Sequence, residues 1–182
     1  MENQFAPSRL DVKALALSTG ELSGCDLLSR YERLAEDLQG HGPDLALNWR
    51  ARGESRLGAA GQAEPWLHLK VEAALPMVCQ RCMGPISIPI AIDREFRFVA
   101  NEEDAAAQDD GSEEDLLVLS REFNLHELIE DELLMGLPLI PRHDVCPTAV
   151  KLEAVDPDFE ANTASKPNPF AVLAKLQDAK PD

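Results

Sequence analysis

Alternating apolar and polar positions predict β-strands through the middle of the chain. In residues 86–98, isoleucine fills every second position up to 92, and two phenylalanines then keep the same parity. Residues 44–52 and 66–75 alternate as well, and residues 115–120 form a short further candidate strand. This pattern is typical of a sheet with one buried face, and it fixes the register because a slip by one residue would bury polar groups. Pro89 points away from the isoleucine face, which indicates an edge position or a local bend.

Apolar residues at helical spacing predict two helices, at residues 25–38 and 124–136. Glycine and proline follow the first helix and would end it, while Asn124 can cap the second. A weaker pattern at residues 8–17 predicts an opening strand. The predicted fold class is α+β: an antiparallel sheet that could close into a barrel, flanking helices, and a short C-terminal helix at residues 168–176.

The length of the chain predicts one domain with an extension. Its 182 residues, 45% of them hydrophobic, can build a real core. We expect a single α+β domain over residues 1–150, which includes an acidic loop at residues 101–115. Residues 151–182 would then be a linker followed by the C-terminal helix and tail. That helix is short enough to need a surface that orders it.

The formal net charge of −16 narrows the choice of partner. It favours a basic protein and works against non-specific attraction to the phosphate backbone of RNA. Half of this charge comes from residues 102–115, which hold eight acidic side chains and no basic one. Charges packed that densely repel one another, so the segment is expected to be a solvated, mobile loop, with an interaction tail as the alternative.

The start of the chain, MENQFAPSRLDV, lacks the basic segment and apolar core of a secretion signal. No apolar run reaches the ~18 residues that a membrane span needs. We therefore expect a cytoplasmic protein with no membrane partner. The cytoplasm is reducing, so the four cysteines are poor candidates for a disulfide framework, and metal binding, redox chemistry or plain burial remain.

A pair of cysteines, Cys79 and Cys82, stands at the turn between the two strands predicted before and after it. A redox pair of this spacing needs a helix N-terminus or a cationic neighbour to activate one thiol. A strand pattern follows here instead, although Arg81 could act as the neighbour. A zinc knuckle fits better, because a tight turn lets both sulfurs reach one ion and Gly84 can relieve the backbone.

One CxxC pair supplies only two of the four ligands that structural zinc needs. The downstream stretch RHDVCP offers His143 and Cys146, again two residues apart, and together the four residues would make a Cys3His site for Zn²⁺. The alternative is that His143 caps or hydrogen-bonds a loop while the thiols simply pack. Cys25 has no cysteine or histidine near it in sequence and is expected to be a small buried thiol at the start of a helix.

Other catalytic chemistry is scarce in the sequence. It contains no glycine-rich phosphate loop, nucleophile elbow or HExxH motif. His126 is expected at the surface, and the run Glu130–Asp131–Glu132 on the exposed face of its helix. We therefore predict a protein that is not an enzyme. The alternative is a thiol-redox or metal-dependent enzyme that uses the CxxC pair.

A basic island with an aromatic residue, formed by Trp49, Arg50, Arg52 and Arg56, runs against the overall acidity. Together with Arg81 near the predicted turn, it is a candidate for local contact with RNA phosphates or bases, or with a protein. The competing interpretation is that alternating arginines form the solvated face of a strand.

Three blocks of sequence resemble the YceD-like family of bacterial proteins: CQRC, DELLMGLPLIPRHDVC and KPNPFAVLAKL. The resemblance covers most of residues 10–176, and the three cysteines outside residue 25 match cysteines of that family. It implies a non-enzymatic factor in the synthesis, processing or stability of large-subunit (23S) ribosomal RNA, and thus in ribosome biogenesis. Its partner would be a large-subunit ribosomal protein or a pre-ribosomal particle, with local contact to ribosomal RNA. Phe170, in the third block, is a further candidate for contact.

Overall fold

The structure is a computed structural model that describes residues 5–58, 61–149 and 154. The chain divides into two units, residues 1–145 and residues 146–182. All helices and strands given below belong to the first unit. The C-terminal helix expected at residues 168–176, and Phe170 within it, lie outside the described residues.

The described elements are helices, 3-10 turns and strands, and the three longest strands follow one another in the chain. In chain order they are α1 Val12–Leu17, β1 Glu21–Leu27, the 3-10 turn Leu28–Arg30, α2 Glu32–Asp37, β2 Ala46–Leu57, β3 Ala63–Val78, β4 Pro85–Val99, α3 Glu102–Gln108, the 3-10 turn Asp109–Gly111, β5 Asp115–Val118 and α4 Leu125–Met135.

The strands of the described residues form one five-stranded sheet in the order β1-β2-β3-β4-β5. Neighbours are antiparallel except that β5 runs parallel to β4, where Phe96 lies opposite Asp115 and Val99 opposite Val118. The prediction of an α+β fold is confirmed. The sheet is mixed, however, because β5 is parallel, and it is open, because β1 and β5 lie at opposite ends of the strand order.

The β3–β4 hairpin confirms the alternation of the sequence. β3 has 16 residues and β4 has 15, and Ile90, Ile92, Phe96 and Phe98 are buried on the face that the pattern predicted. β5 pairs with residues 96–99 of β4 and no further, so in the described part of the chain the half of β4 around Pro89 has β3 alone as its partner. The edge position predicted for Pro89 is confirmed.

Helix α1 replaces the strand predicted at residues 8–17. The Asp11 carboxylate caps it by accepting a hydrogen bond from the Ala14 N–H at 2.9 Å. Val12 and Leu15 lie three residues apart and are both fully buried. The segment VKALAL satisfies a period of two and a period near 3.6 equally well, so the cap and the buried face decide in favour of the helix.

The helix predicted at residues 25–38 is also shorter than expected. Strand β1 continues to residue 27, and α2 begins only at Glu32. Tyr31, Leu34 and Leu38 are buried as their spacing predicted. Cys25 was expected at a helix start as a buried thiol, but it lies in β1 and is exposed, so that prediction is wrong.

Helix α4 forms as predicted, but two of its acidic residues are buried. Glu130 accepts hydrogen bonds from the Leu34 N–H at 3.2 Å and from the Arg33 Nε at 3.0 Å, and thereby ties α4 to α2. Glu132 pairs with Arg94 of β4 at 3.1 Å. The prediction that these acids lie on an exposed helix face is wrong, because each has a cationic partner that offsets the desolvation of its carboxylate.

Residues 101–115 are more ordered than a loop. Asn101 caps α3 by accepting a hydrogen bond from the Asp104 N–H at 2.8 Å, and a 3-10 turn follows. No residue of α3 or of this turn is buried. The acidic side chains of α3 and of this turn are therefore solvated, as their charge density predicted, although their backbone is helical. Glu114 and Asp115, which follow, pair with Arg97 and Arg94 of β4.

Trp49 belongs to the core rather than to the arginine surface. Its indole is only 6% exposed and donates a hydrogen bond to the Asp26 carboxylate at 2.7 Å. The Tyr31 hydroxyl donates to the same carboxylate oxygen at 2.9 Å. His126 packs edge-on against both aromatic rings, and burial lowers the pKa of its imidazole although Asp26 acts to raise it. Trp49 thus has a structural role in the core, the contact expected of it stays a prediction, and His126 is half-buried rather than a surface residue.

Candidate metal centre

The tip of the β3–β4 hairpin is a tight turn that brings the two sulfurs of the CxxC pair together. The Met83 N–H donates to the Cys79 carbonyl at 2.8 Å, and the Cys79 N–H donates to the Gly84 carbonyl at 2.9 Å. Met83, rather than Gly84, takes the left-handed backbone conformation, with φ of 57°. The turn is the one predicted, but the glycine expected to relieve the backbone stands one residue after the strained position.

The stretch after α4 crosses this turn and is held there by hydrogen bonds. The Gln80 N–H donates to the Pro141 carbonyl at 2.8 Å. The Arg81 guanidinium donates to the carbonyls of His143 and Asp144 at 2.5 and 3.1 Å. Arg81 therefore positions the downstream ligands, a role that the sequence did not reveal.

Four side chains gather around this turn: Cys79, Cys82, His143 and Cys146. Their ligand atoms all lie within 4.8 Å of one another, and no other such group of three or more occurs in the described part of the chain. The Cys82 Sγ lies 3.5 Å from the His143 Nδ1, and the His143 N–H donates to the Cys79 Sγ at 3.4 Å. The structure thus brings together the four residues that the sequence proposed as metal ligands.

This set fits zinc by its chemistry and its spacing. Zinc bonds to thiolates at about 2.3 Å and to imidazole at about 2.0–2.1 Å, so the ligands of a tetrahedral site stand roughly 3.5–4 Å apart. The 3.5 Å between the Cys82 Sγ and the His143 Nδ1 falls in that range. Ligand atoms that stand up to 4.8 Å apart would have to move slightly closer when zinc binds. Three sulfurs and one nitrogen are also a donor set that zinc prefers over harder cations.

The environment of Cys79 favours its thiolate. Burial raises the pKa of this thiol, but hydrogen bonds from the backbone N–H groups of Cys82, His143 and Arg81, together with the Cys82 side chain, lower it to about 5. A thiolate that accepts several backbone hydrogen bonds is ready to bind a metal without first losing a proton near neutral pH.

A low thiol pKa is also a mark of redox cysteines, but two features separate this site from them. Strand β4 begins at Pro85, so no helix dipole points at the sulfurs. Cys79 is fully buried, whereas reactive cysteines are accessible to their substrates. The geometry therefore supports the metal site better than the redox pair.

We expect the closed geometry of the hairpin tip to keep the Cys79 thiol ionised down to about pH 5, whereas an ordinary thiol titrates near pH 9. Because the folded state holds the lower pKa, its contribution to stability is present above pH 9, declines as the pH falls, and is gone below about pH 5. The zinc content of the full chain, measured after dialysis at a series of pH values, checks this. Zinc should stay bound down to about pH 5, and its release already near pH 7 would contradict the expectation.

The arginines proposed for contact lie elsewhere on the sheet. Arg50 and Arg52 are exposed on the side of β2 opposite to Leu47 and Ala51, which are in the core. Arg50 pairs with Glu21 at 3.4 Å, and both side chains are exposed. The two arginines are accessible, as a contact surface requires, although they do not adjoin the metal ligands in the fold.

Taken together, the fold and the site define an α+β protein with a Cys3His centre at the tip of a long hairpin. Among its described helices, none combines the length and hydrophobicity that crossing a bilayer requires. Residues 67–177 match the model of the YceD family, described as large ribosomal RNA subunit accumulation protein YceD. The chain belongs to this family, which is named for the accumulation of an RNA and not for an enzyme class. The resemblance to it in the sequence is thus confirmed.

A curated relative from Haemophilus influenzae carries the same description, large ribosomal RNA subunit accumulation protein YceD. It is 36% identical to this chain over 113 residues, which are 59% of the chain and 63% of the relative. The match therefore spans less than two thirds of the relative's length. No solved structure matches the chain significantly.

Proposed function

We propose that this protein is a non-enzymatic factor in the accumulation of large-subunit ribosomal RNA. The observation that carries the proposal is the family match over residues 67–177, which contains most of the hairpin and the complete Cys3His cluster. The factor works in the cytoplasm, on the synthesis, processing or stability of that RNA, and it acts mainly through a protein partner.

Zinc is the metal that we assign to the cluster, in a structural role. When bound, it joins the hairpin tip to the stretch that follows α4. Cys79 and Cys82 hold it from the hairpin, and His143 and Cys146 from that stretch. Four protein ligands fill a tetrahedral ion and leave no position for a water or a substrate, which is the arrangement of structural rather than catalytic zinc.

The charge of the chain supports a basic protein as the direct partner. The net charge of −16 and the solvated acids of residues 102–111 attract cationic surfaces and repel RNA phosphates. On the solvent-exposed face of the sheet, acidic neighbours largely neutralise the basic side chains. Arg50 pairs with Glu21, and Lys70 pairs with Asp93 at 2.8 Å. Any contact with ribosomal RNA is therefore local. A basic ribosomal protein, or a pre-ribosomal particle that displays one, fits these charges.

The test is to deplete the protein in its own cell and to measure the ratio of large-subunit to small-subunit ribosomal RNA. We expect the ratio to fall on depletion and to recover with the wild-type chain and with the control Cys25→Ala. Cys82→Ala should fail to restore it, because the hairpin loses its metal. An unchanged ratio in depleted cells would contradict the proposed function. Full rescue by Cys82→Ala would support the proposed role in ribosomal RNA accumulation. It would show, however, that this role does not need the metal centre.

A further inference from the structure

Four large aliphatic side chains close to the metal centre are exposed to solvent. Leu139 is 100% exposed, Val145 85%, Met83 71% and Ile140 66%. We call these four residues the apolar arm surface. Single exposed aliphatic residues are ordinary, but several of this size near one site indicate a place of contact.

The apolar arm surface stands on fixed backbone. Ile140 precedes Pro141, whose carbonyl binds the Gln80 N–H, and Val145 follows Asp144, whose carbonyl binds Arg81. Met83 follows Cys82, whose sulfur lies 3.5 Å from the His143 ring. Each of the four residues is thus within two positions of a contact between the hairpin tip and the crossing stretch, so little conformational entropy remains to be lost on binding.

This part of the chain also lacks the acidity of the rest. Residues 73–92 contain no carboxylate and one arginine, and residues 133–143 contain no carboxylate. Asp144 stands beside Val145, and Asp37 lines a pocket with Gln80 and Pro141, so the apolar arm surface has few of the chain's acids beside it but is not free of them. A basic protein can place apolar residues here while its cations face the acidic surfaces elsewhere.

We propose that the apolar arm surface binds an apolar segment of the basic protein partner, an inference that rests on the proposed function. The four side chains are aliphatic and offer no aromatic ring on which a base could stack, which argues against single-stranded RNA. A second copy of the chain is disfavoured because two bodies of charge −16 repel each other. Binding buries the aliphatic side chains, and the salt-dependent attraction of the acidic surfaces speeds the encounter.

The test compares two double variants of the full chain, both with zinc supplied and under reducing conditions. Leu139→Ser with Ile140→Ser removes half of the apolar arm surface. Leu17→Ser with Leu57→Ser removes two residues that are 65% and 82% exposed on α1 and at the far end of β2. Both pairs leave the net charge unchanged. The probes are the purified proteins of a bacterial large ribosomal subunit, each labelled and titrated singly by fluorescence anisotropy.

We expect at least one of these basic proteins to bind the wild type and the Leu17/Leu57 variant with affinities within about twofold of each other. The Leu139/Ile140 variant should bind it about tenfold more weakly, a change of about 1.4 kcal/mol, and the difference should persist at high salt. Equal binding by both variants would overturn the inference and leave the proposed partner class in place. Binding of none of the proteins would overturn the inference together with that partner class.

Two further outcomes would also overturn the inference. If the Leu139/Ile140 variant lost affinity for ribosomal RNA and not for a protein, the surface would be an RNA site. If it changed the wild-type oligomeric state in sedimentation velocity, the surface would be a contact between copies. Unchanged circular dichroism and zinc content of both variants confirm that each is folded, so the comparison remains valid.

Discussion

Cys82→Ala should abolish metal binding and release the hairpin tip from the stretch after α4. Structural zinc contributes on the order of 10 kcal/mol where folding depends on it. Whole domains are stable by only about 5–15 kcal/mol, so a loss of that size must unfold whatever the metal alone holds. The buried cluster of the sheet contains Leu75 and Ile90, and Met77 and Ile88 pack against it, but no residue from 78 to 87 belongs to it. We therefore expect local opening of the tip, with the core intact.

Hydrogen exchange read by mass spectrometry measures this opening. Peptides from residues 78–87 and 138–146 should lose protection by about a hundredfold or more in Cys82→Ala, which corresponds to about 2.7 kcal/mol. Peptides around Leu69, deep in β3, should exchange as in the wild type. Cys25→Ala is the control, because this cysteine is exposed in β1 and outside the cluster. Retained protection of the tip in Cys82→Ala would show that the metal does not hold it.

The second large effect concerns the contact of α1 with the sheet. A Cβ atom added at Gly53 would lie 2.8 Å from the backbone nitrogen of Ala16 and 2.8 Å from the carbonyl carbon of Leu15. Both are backbone atoms of a helix, which cannot turn aside as the end of a side chain can. Gly53→Ala must therefore push α1 off β2, and we expect it to lower the free energy of unfolding by about 2–3 kcal/mol.

Urea denaturation of the two glycine variants checks this value. Gly111→Ala is the matched control, since a Cβ there meets no atom within 4 Å and the backbone is not left-handed. Its midpoint should stay close to that of the wild type, while the Gly53→Ala midpoint falls at an unchanged slope. A neutral Gly53→Ala would mean that α1 does not pack against the sheet in this way.

The sequence predicted most reliably those features that depend on long regular patterns. The apolar alternation of β4 runs over residues 86–98, with Arg94 as its one exception, and a pattern of that length fixes which face of the strand is buried. The four metal ligands were predictable for a related reason. They form two pairs that are each close in sequence, so a single contact between the hairpin tip and the stretch after α4 brings all four together. The proline-rich stretch after α4 supplies that contact, since its Pro141 carbonyl accepts a hydrogen bond from the Gln80 N–H.

The features that the sequence did not reveal depend on a tertiary partner. Helix α1 has six residues, too few for periodicity to separate it from a strand. From the sequence, Glu130 is expected at the surface and Trp49 at a contact site. Their burial becomes understandable only in the fold, where Glu130 pairs with Arg33 and Trp49 donates a hydrogen bond to Asp26. The apolar arm surface was visible in the letters LPLIP, but an extended apolar run predicts burial unless the structure shows otherwise.

The central claim is that the cluster is a closed structural zinc site. Zinc K-edge X-ray absorption on the full chain, purified under reducing conditions without added metal, tests it most directly. We predict one zinc per chain, with three sulfurs at about 2.3 Å and one nitrogen at about 2.0–2.1 Å. A chain that carries no metal while its hairpin tip stays protected from exchange would contradict the claim. So would a zinc ion with a water ligand in place of His143 or of one of the cysteines.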